Sequence, residues 1–557
     1  MSVFIGYPSF MAYQMMKGKK GNNEGFPPIP GMIARYSALG LTNEEMSKNP
    51  VWVDKTGNDH DLQMKNFVWA GMSGVGGYKL NWGDSSIWAN YITQGTCEVT
   101  DNTIHITSAK TNNALFETRA SLKSVEYKVL IKGLTDDIYL RYGVFNDGKE
   151  LWTEIKNDGI YTLPSYDYDS RYNMKWKVMS QTYPIDCDIT IEQLPLYSGA
   201  LVFDGVDDYG TCDNFTILTK EKGYTVVALR QWITYNPNAI PAIATNASDQ
   251  SFNGAFTFEN YNKGAEQTIS YGATQISLQY SKSPFSWQTT SKYNGVNIAN
   301  GNKDATNSLV LGRPYPQRND FANFAIWELV FLDHDATEEE LTKIKDYFVK
   351  TYPWLFPDQA WTVTGKTNED KDRATIANIT GNGNNLVLSN FGFAEGSGYN
   401  EEGEYAGYLV TDGVDDRVVS SSFTLNKDWT IVGNWKMLQP EANKLSGIVK
   451  QNSLFIYNHV DGLNISINDA WNFFKLKDIR SVNAICSDGR IYLNDWTEII
   501  DSKQQTVNES VGTLVIGILG NVYTSLAFKN LGFYNNQNLS KDDCIKAYNY
   551  LQTLKAK

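Results

Sequence analysis

Apolar positions along this chain mostly recur at a spacing of two. Val125, Tyr127, Val129 and Ile131 alternate with polar residues, as in a strand with one buried face. Thr225-Val226-Val227-Ala228-Leu229 and Thr430-Ile431-Val432 have strand composition, and 324–332 reads as a longer apolar strand. Clusters of Asn, Gly and Ser separate such runs. Asn146-Asp147-Gly148 and Asn157-Asp158-Gly159 flank 151–155 and predict two hairpin turns. The period changes to that of a helix in two places. Thr337 caps a start rich in Glu338, Glu339 and Glu340, and Leu341, Ile344 and Phe348 then share one face before Pro353. Ser540 does the same before Asp542 and Asp543, with Ile545, Tyr548 and Leu551 on the apolar face. Many short strands with frequent turns predict a mostly β chain of sandwich or jelly-roll type, each helix covering a sandwich edge.

The chain also repeats itself. Gly40, Thr42, Asn43 and Glu44 return as Gly365, Thr367, Asn368 and Glu369, an offset of 325. Thr56-Gly57-Asn58, Leu62, Asn66-Phe67 and Ala70 return 324 residues later, from Thr380 to Ala394. Asp204-Gly205-Val206-Asp207-Asp208 returns as Asp412-Gly413-Val414-Asp415-Asp416, an offset of 208, and 309–312 returns as 514–517, an offset of 205. The drop from 324 to 208 gives the first copy 116 extra residues, between about Tyr78 and Leu201. A small β-sandwich inserted into a loop of the first copy fits that length. The expected order is an N-terminal anchoring arm (1–34), a first jelly roll split over 35–80 and 198–356, an inserted β-sandwich (81–197) and a second jelly roll (357–557).

The segment 201–209, with Asp204-Gly205-Val206-Asp207-Asp208 at its centre, resembles the start of laminin-G-like domains of the concanavalin A-like lectin/glucanase superfamily. The strands 309–312 and 324–331 and the capped last helix resemble the same family. The likeness covers roughly 201–352 and 407–556. The second copy departs from it at Thr411, which replaces Phe203, and at Arg417, which replaces Tyr209. The resemblance implies tandem concanavalin A-like jelly rolls. In overall style the chain is also similar to surface-appendage proteins of phages of gut Bacteroidetes, crAss-like phages among them. That implies a virion structural protein such as a head fibre, tail fibre or decoration protein.

Composition narrows the chemistry. The 557 residues suggest several domains, and the 42% hydrophobic content supplies sizeable cores. A net charge of −13 repels a polyanion, and Lys17-Gly18-Lys19-Lys20 is too short for a nucleic-acid stripe. The five cysteines (Cys97, Cys187, Cys212, Cys486, Cys544) are scattered without CxxC spacing, and the four histidines form no zinc motif. The first residues lack the basic start and continuous apolar stretch of a signal peptide, and no run of about 18 apolar residues is present. A protein made in the cytoplasm that acts outside it is expected to travel on a virus particle.

Glucanases need two carboxylates flanking the scissile bond. The expected pattern of acids at alternate strand positions is missing, and Glu328 stands alone, so no enzyme is expected. Asp204, Asp207 and Asp208 could ligate calcium, a hard cation that favours clustered oxygens. The plainer reading of these acids, and of Asp412, Asp415 and Asp416, is a tight turn stabilised by Asp–backbone bonds. Tyr166, Tyr168, Arg171, Tyr172 and Trp176 combine stacking rings with hydrogen-bonding groups and form the first candidate glycan site; some of these rings must also fill the insert's core. Tyr315 and Arg318 form the second. The expected partners are other virion proteins through the arm, further copies of the chain (a trimer is one arrangement) and a host glycan. The readings that compete are a purely architectural virion protein, a bacterial surface lectin and a glycoside hydrolase.

Overall fold

The computed structural model describes residues 25–119, 126–146, 149–164, 174–215, 225–234, 242–245, 257–260, 275–283, 286–289, 308–314, 316–334, 336–381, 383–402, 405–438, 446–451, 454–459, 462–467, 470–474, 482–493, 496–500, 510–516, 518–519 and 522–556. The fold is mostly β, with antiparallel sheets paired into sandwiches. The chain divides into two compact units: 1–75 with 199–352, and 76–198 with 353–557.

In the first unit Asn323–Leu332 is the axis of a seven-stranded sheet. Thr225–Thr234 pairs along one edge, and Leu201–Asp204 and Met32–Ser37 share the other. A six-stranded sheet faces the same apolar core; its central strands are Leu309–Leu311, Tyr209–Cys212 and Leu62–Lys65. The sheet takes in residues that the sequence assigned to the arm. Met32 to Ala34 belong to a strand, and Phe26 and Ile29 are buried. Phe26 covers the guanidinium of Arg35, 4.2 Å from its ring centroid. Arg35 in turn bonds both carboxylate oxygens of fully buried Glu328 at 3.1 Å. Tyr352 donates to Glu328 at 2.8 Å, and Arg35 Nη2 donates to Tyr347 Oη at 2.9 Å. Burial pushes the Glu328 carboxyl up, and Arg35 beside it pulls it back only in part.

The helix Glu338–Thr351 carries the expected cap, with Thr337 and Glu340 bonded reciprocally. Its buried residues are Ile344, Tyr347 and Phe348, while Leu341 stays half-exposed.

In the second unit Gln359–Thr362, Tyr408–Val410 and Trp429–Met437 pair with Leu526–Asn535 in an eight-stranded sheet. That reproduces the pairing around Asn323–Leu332. The opposing sheet also has eight strands, and the helix Lys541–Thr553 follows. Even strained positions recur. Asn66 and Trp69 adopt positive φ, as do Asn390 and Phe393.

The segment 76–198 holds two five-stranded sheets around its own core of Trp82, Trp88, Tyr142, Trp176 and other apolar residues. It belongs to the second unit although it interrupts the first in sequence. Asn549 Nδ2 donates to the Pro195 carbonyl at 3.4 Å. The Lys128 ammonium lies 3.5 Å from the Tyr548 ring centroid. Burial pushes Lys128 well below the usual lysine range; Glu126 opposes this, while Lys529 and Lys79 add to it. This cover explains why Asn549 is buried as well as Tyr548 on a helix expected to hide one face.

One predicted turn is corrected. Asn157-Asp158-Gly159 is not a hairpin turn. Lys149–Ile155 pairs with Tyr139–Asn146 in one sheet, whereas Gly159–Pro164 pairs with Glu126–Lys132 in the other. The turn is a crossover, held because Asp158 accepts from the Gly133 and Leu134 amides at 3.0 and 2.8 Å. Of the other turn, Asp147 and Gly148 lie outside the described residues, and Asn146 pairs with Lys149 as a hairpin requires.

Candidate functional site

Strand alternation places a distinct set of side chains on the outer face of one insert sheet. Leu140, Tyr142 and Val144 point into the core, so Arg141 and Gly143 point out. Met174, Trp176 and Val178 point in, so Lys175 and Lys177 point out. Trp152 stands opposite Gly143 on the edge strand, and Lys175 stands opposite Gly143 on the other side. A Cβ at residue 143 would lie 2.5 Å from Trp152 Cζ3 and 2.7 Å from Cη2. The indole therefore lies across the backbone of Gly143, and glycine is what lets it lie there.

Charge surrounds the ring. Lys177 Nζ, Arg141 Cζ and Lys175 Nζ lie 4.6, 5.0 and 5.7 Å from its centroid. Lys175 bonds Glu150, a bond that holds this carboxyl below its usual range. Glu154 Oε1 is 3.8 Å from Arg141 Nε, and its Oε2 is 3.1 Å from Lys156 Nζ. Lys177 is lowered first by burial, then by Lys175; Glu150 opposes the shift and Arg141 adds to it. The result is a half-exposed aromatic plate rimmed by donors and acceptors. Such a plate can take the C–H face of a sugar ring while the rim takes hydroxyls.

The acidic turns form a second, duplicated site. In the first copy Asp208 Oδ2 accepts from the Asp204 amide at 2.9 Å and Oδ1 from Ser73 Oγ at 2.9 Å. Asp204 Oδ1 accepts from Val206 N at 2.7 Å. In the second copy Asp416 accepts from Asp412 N at 2.8 Å and Ser397 Oγ at 3.1 Å, and Asp412 accepts from Val414 N at 2.7 Å. Gly205 and Gly413 supply the positive φ, 78° and 75°. Burial first, then the neighbouring acids, push Asp208 up to about 8 and Asp416 up to about 6, against the bonds they accept. In each trio one oxygen per residue lies within 4.8 Å of the others, close enough for one cation to bridge. Both oxygens of Asp208 and of Asp416 are nevertheless engaged by the turn itself. The donor set fits the turn better than it fits calcium.

Of the sequence-derived glycan candidates, Trp176 and Arg318 are among the described residues. Trp176 is fully buried between Tyr142 and the rest of the insert core, so it is removed from the candidate site; its inward strand position is the reason. Tyr166, Tyr168, Arg171, Tyr172 and Tyr315 lie outside the described residues. Arg318 is half-exposed and bonds Asp320 in its own loop. Asp204, Asp207 and Asp208 do come together. Trp152, Arg141 and Lys177 were missed. The usable signal was a tryptophan in a strand flanked by Glu150 and Glu154, facing a strand with a mid-strand glycine.

No protein-family model matches the sequence, and no curated protein matches it. Among solved structures, Trypanosoma rangeli sialidase in complex with sialic acid aligns over 86% of this chain and 97% of its own, with 9% identity and TM-score 0.21. A mutant of that sialidase displaying trans-sialidase activity aligns over 83% and 84%, with 10% identity and TM-score 0.28. The binding domain of botulinum neurotoxin serotype G aligns over 61% and 94%, with 10% identity and TM-score 0.21. Among the described residues no helix is long and apolar enough to cross a membrane.

Proposed function

We propose that this chain is a non-enzymatic carbohydrate-binding protein that uses the Trp152 face of its insert, with the two larger sandwiches as scaffold. The observation that carries this reading is the indole laid over Gly143 with hydrogen-bonding charges on its rim. The setting we propose is a phage particle surface, to which the N-terminal arm anchors the chain, in a homo-oligomer. The jelly rolls are then of the concanavalin A-like type that the turn at Asp204 to Asp208 suggests. Against a glucanase role stands Glu328, the acid of the long central strand, which is enclosed by Arg35 and Tyr352.

The test is a glycan array with the full chain and with Trp152→Ala. Loss of one sugar ring's stacking is expected to weaken binding by about tenfold to a hundredfold. A wild-type chain that captures no glycan supports the architectural reading instead, and sugar release from a capsular polysaccharide overturns the non-enzymatic one. Deleting residues 1–24, which leaves buried Phe26 and the strand Met32–Ser37 in place, while scoring particle incorporation tests the anchor.

A further inference from the structure

We infer that the saccharide taken by the Trp152 face carries an acid group on its ring, a carboxylate or a sulfate; this rests on the carbohydrate reading above. Three basic groups converge on one ring in a chain whose net charge is −13. Two of them have carboxylate partners, Lys175 with Glu150 and Arg141 with Glu154. Lys177, the nearest to the ring, has no carboxylate within 4.0 Å among the described residues. Arg141 Nε also lacks a hydrogen-bond acceptor, because Glu154 Oε1 at 3.8 Å is too far for one. Lys175 and Arg141 both bear on Lys177 as like charges.

A neutral sugar could stack on the indole and bond the rim, but it would leave that repulsion in place. An acid on the sugar ring would relieve it and give Lys177 a partner. It would also offer Arg141 an oxygen acceptor, and charge-assisted bonds of this kind are about twice as strong as neutral ones. The Lys177 ammonium now rests against the ring on a flexible four-carbon stem. It can swing to the incoming acid and free the indole face for the sugar's C–H groups.

The experiment titrates the full chain with a uronic-acid oligosaccharide, its carboxyl-reduced counterpart and a sulfated neutral oligosaccharide, read by tryptophan fluorescence and calorimetry. The expected result is at least about tenfold tighter binding of an acidic ligand than of the reduced one. The preference shrinks when salt rises from about 50 to about 500 mM. Lys177→Gln, at a half-exposed outer-face position, is expected to remove most of that preference, bringing the acidic ligand's affinity down towards that of the reduced sugar, with the melting temperature unchanged. The carboxylated and sulfated arms decide which acid is read. Equal affinity for acidic and reduced sugars, with both lost in Trp152→Ala, overturns the acid assignment and leaves the carbohydrate reading standing. No response to any of the three ligands overturns both.

Discussion

Where the first repeat buries Glu328 against Arg35, the second buries Asn530 beside Gln552. Strand register makes the positions equivalent: Glu328 faces Ser37 and Asn530 faces Thr362. Gln552 Nε2 donates to Asn530 Oδ1 at 3.2 Å, a neutral bond in place of an ion pair. The same exchange recurs at the loop that follows the first paired strand. Asp54 Oδ1 accepts from Arg35 N at 3.0 Å and Thr56 N at 2.9 Å; Asn378 Oδ1 accepts from Ala360 N at 3.3 Å and Thr380 N at 3.0 Å. The Asp54 and Asn378 amides donate to Asp61 and Asn385 at 2.8 and 2.9 Å. Two copies of one scaffold thus satisfy the same backbone groups, one with ionisable side chains and one with amides. What is preserved is the hydrogen-bond geometry. Charge is the variable, and it gives the first repeat more groups through which its stability answers to pH.

The largest test of this contrast is Arg35→Met against Gln552→Met. Removing Arg35 strands a buried carboxylate and is expected to cost about 3–5 kcal/mol. Removing Gln552 leaves a neutral amide short of one bond and is expected to cost about 1–2 kcal/mol. Urea unfolding of each variant measures both, and equal losses would break the comparison.

A smaller effect comes from pH. Asp208 and Asp416 have folded pKa values raised to about 8 and about 6. A raised carboxyl contributes most below its unfolded value, and that contribution is lost as pH rises to the folded value. Between pH 6 and pH 8, therefore, the first turn goes on losing stability after the second has stopped. Across that interval wild type should lose about 1–2 kcal/mol more than Asp208→Asn. Asp416→Asn should keep the wild-type slope. His60 and His334 are also raised, His60 chiefly by its bond to Asp54 and His334 by Asp333 and Glu340 against burial, and they slope the same way. The informative quantity is accordingly the difference between the two Asn variants.

The smallest test concerns the helix caps. Thr337→Ala breaks a reciprocal box with Glu340, whereas Ser540→Ala removes the bond that Asp543 N donates at 3.1 Å. Both should cost about 1 kcal/mol, with Thr337 the larger, as read by thermal melting.

Local pattern explains what the sequence made legible. The caps, the helices, the duplication and the interruption of the first copy depend on neighbours or on self-similarity, and the chain states both directly. The Asp204 to Asp208 turn was legible for the same reason. The Trp152 face was not, because it exists only once the register sets Trp152 opposite Gly143 and Gly143 opposite Lys175. Trp176 misled because aromatic clustering along the chain does not say which face each ring takes. Arg35 and Glu328 stand 293 residues apart, and nothing local to either names the other.

The contact between Lys128 and Tyr548 also has a timetable. The insert is finished at Ser198, and the helix that covers it begins at Lys541, 343 residues later. At roughly 5–20 residues per second the nascent insert waits about 17 to 70 seconds for its cover. A bare hydrophobic patch would invite aggregation throughout that delay. A face built around an ammonium stays hydrated until the ring arrives, and only then gives up its water.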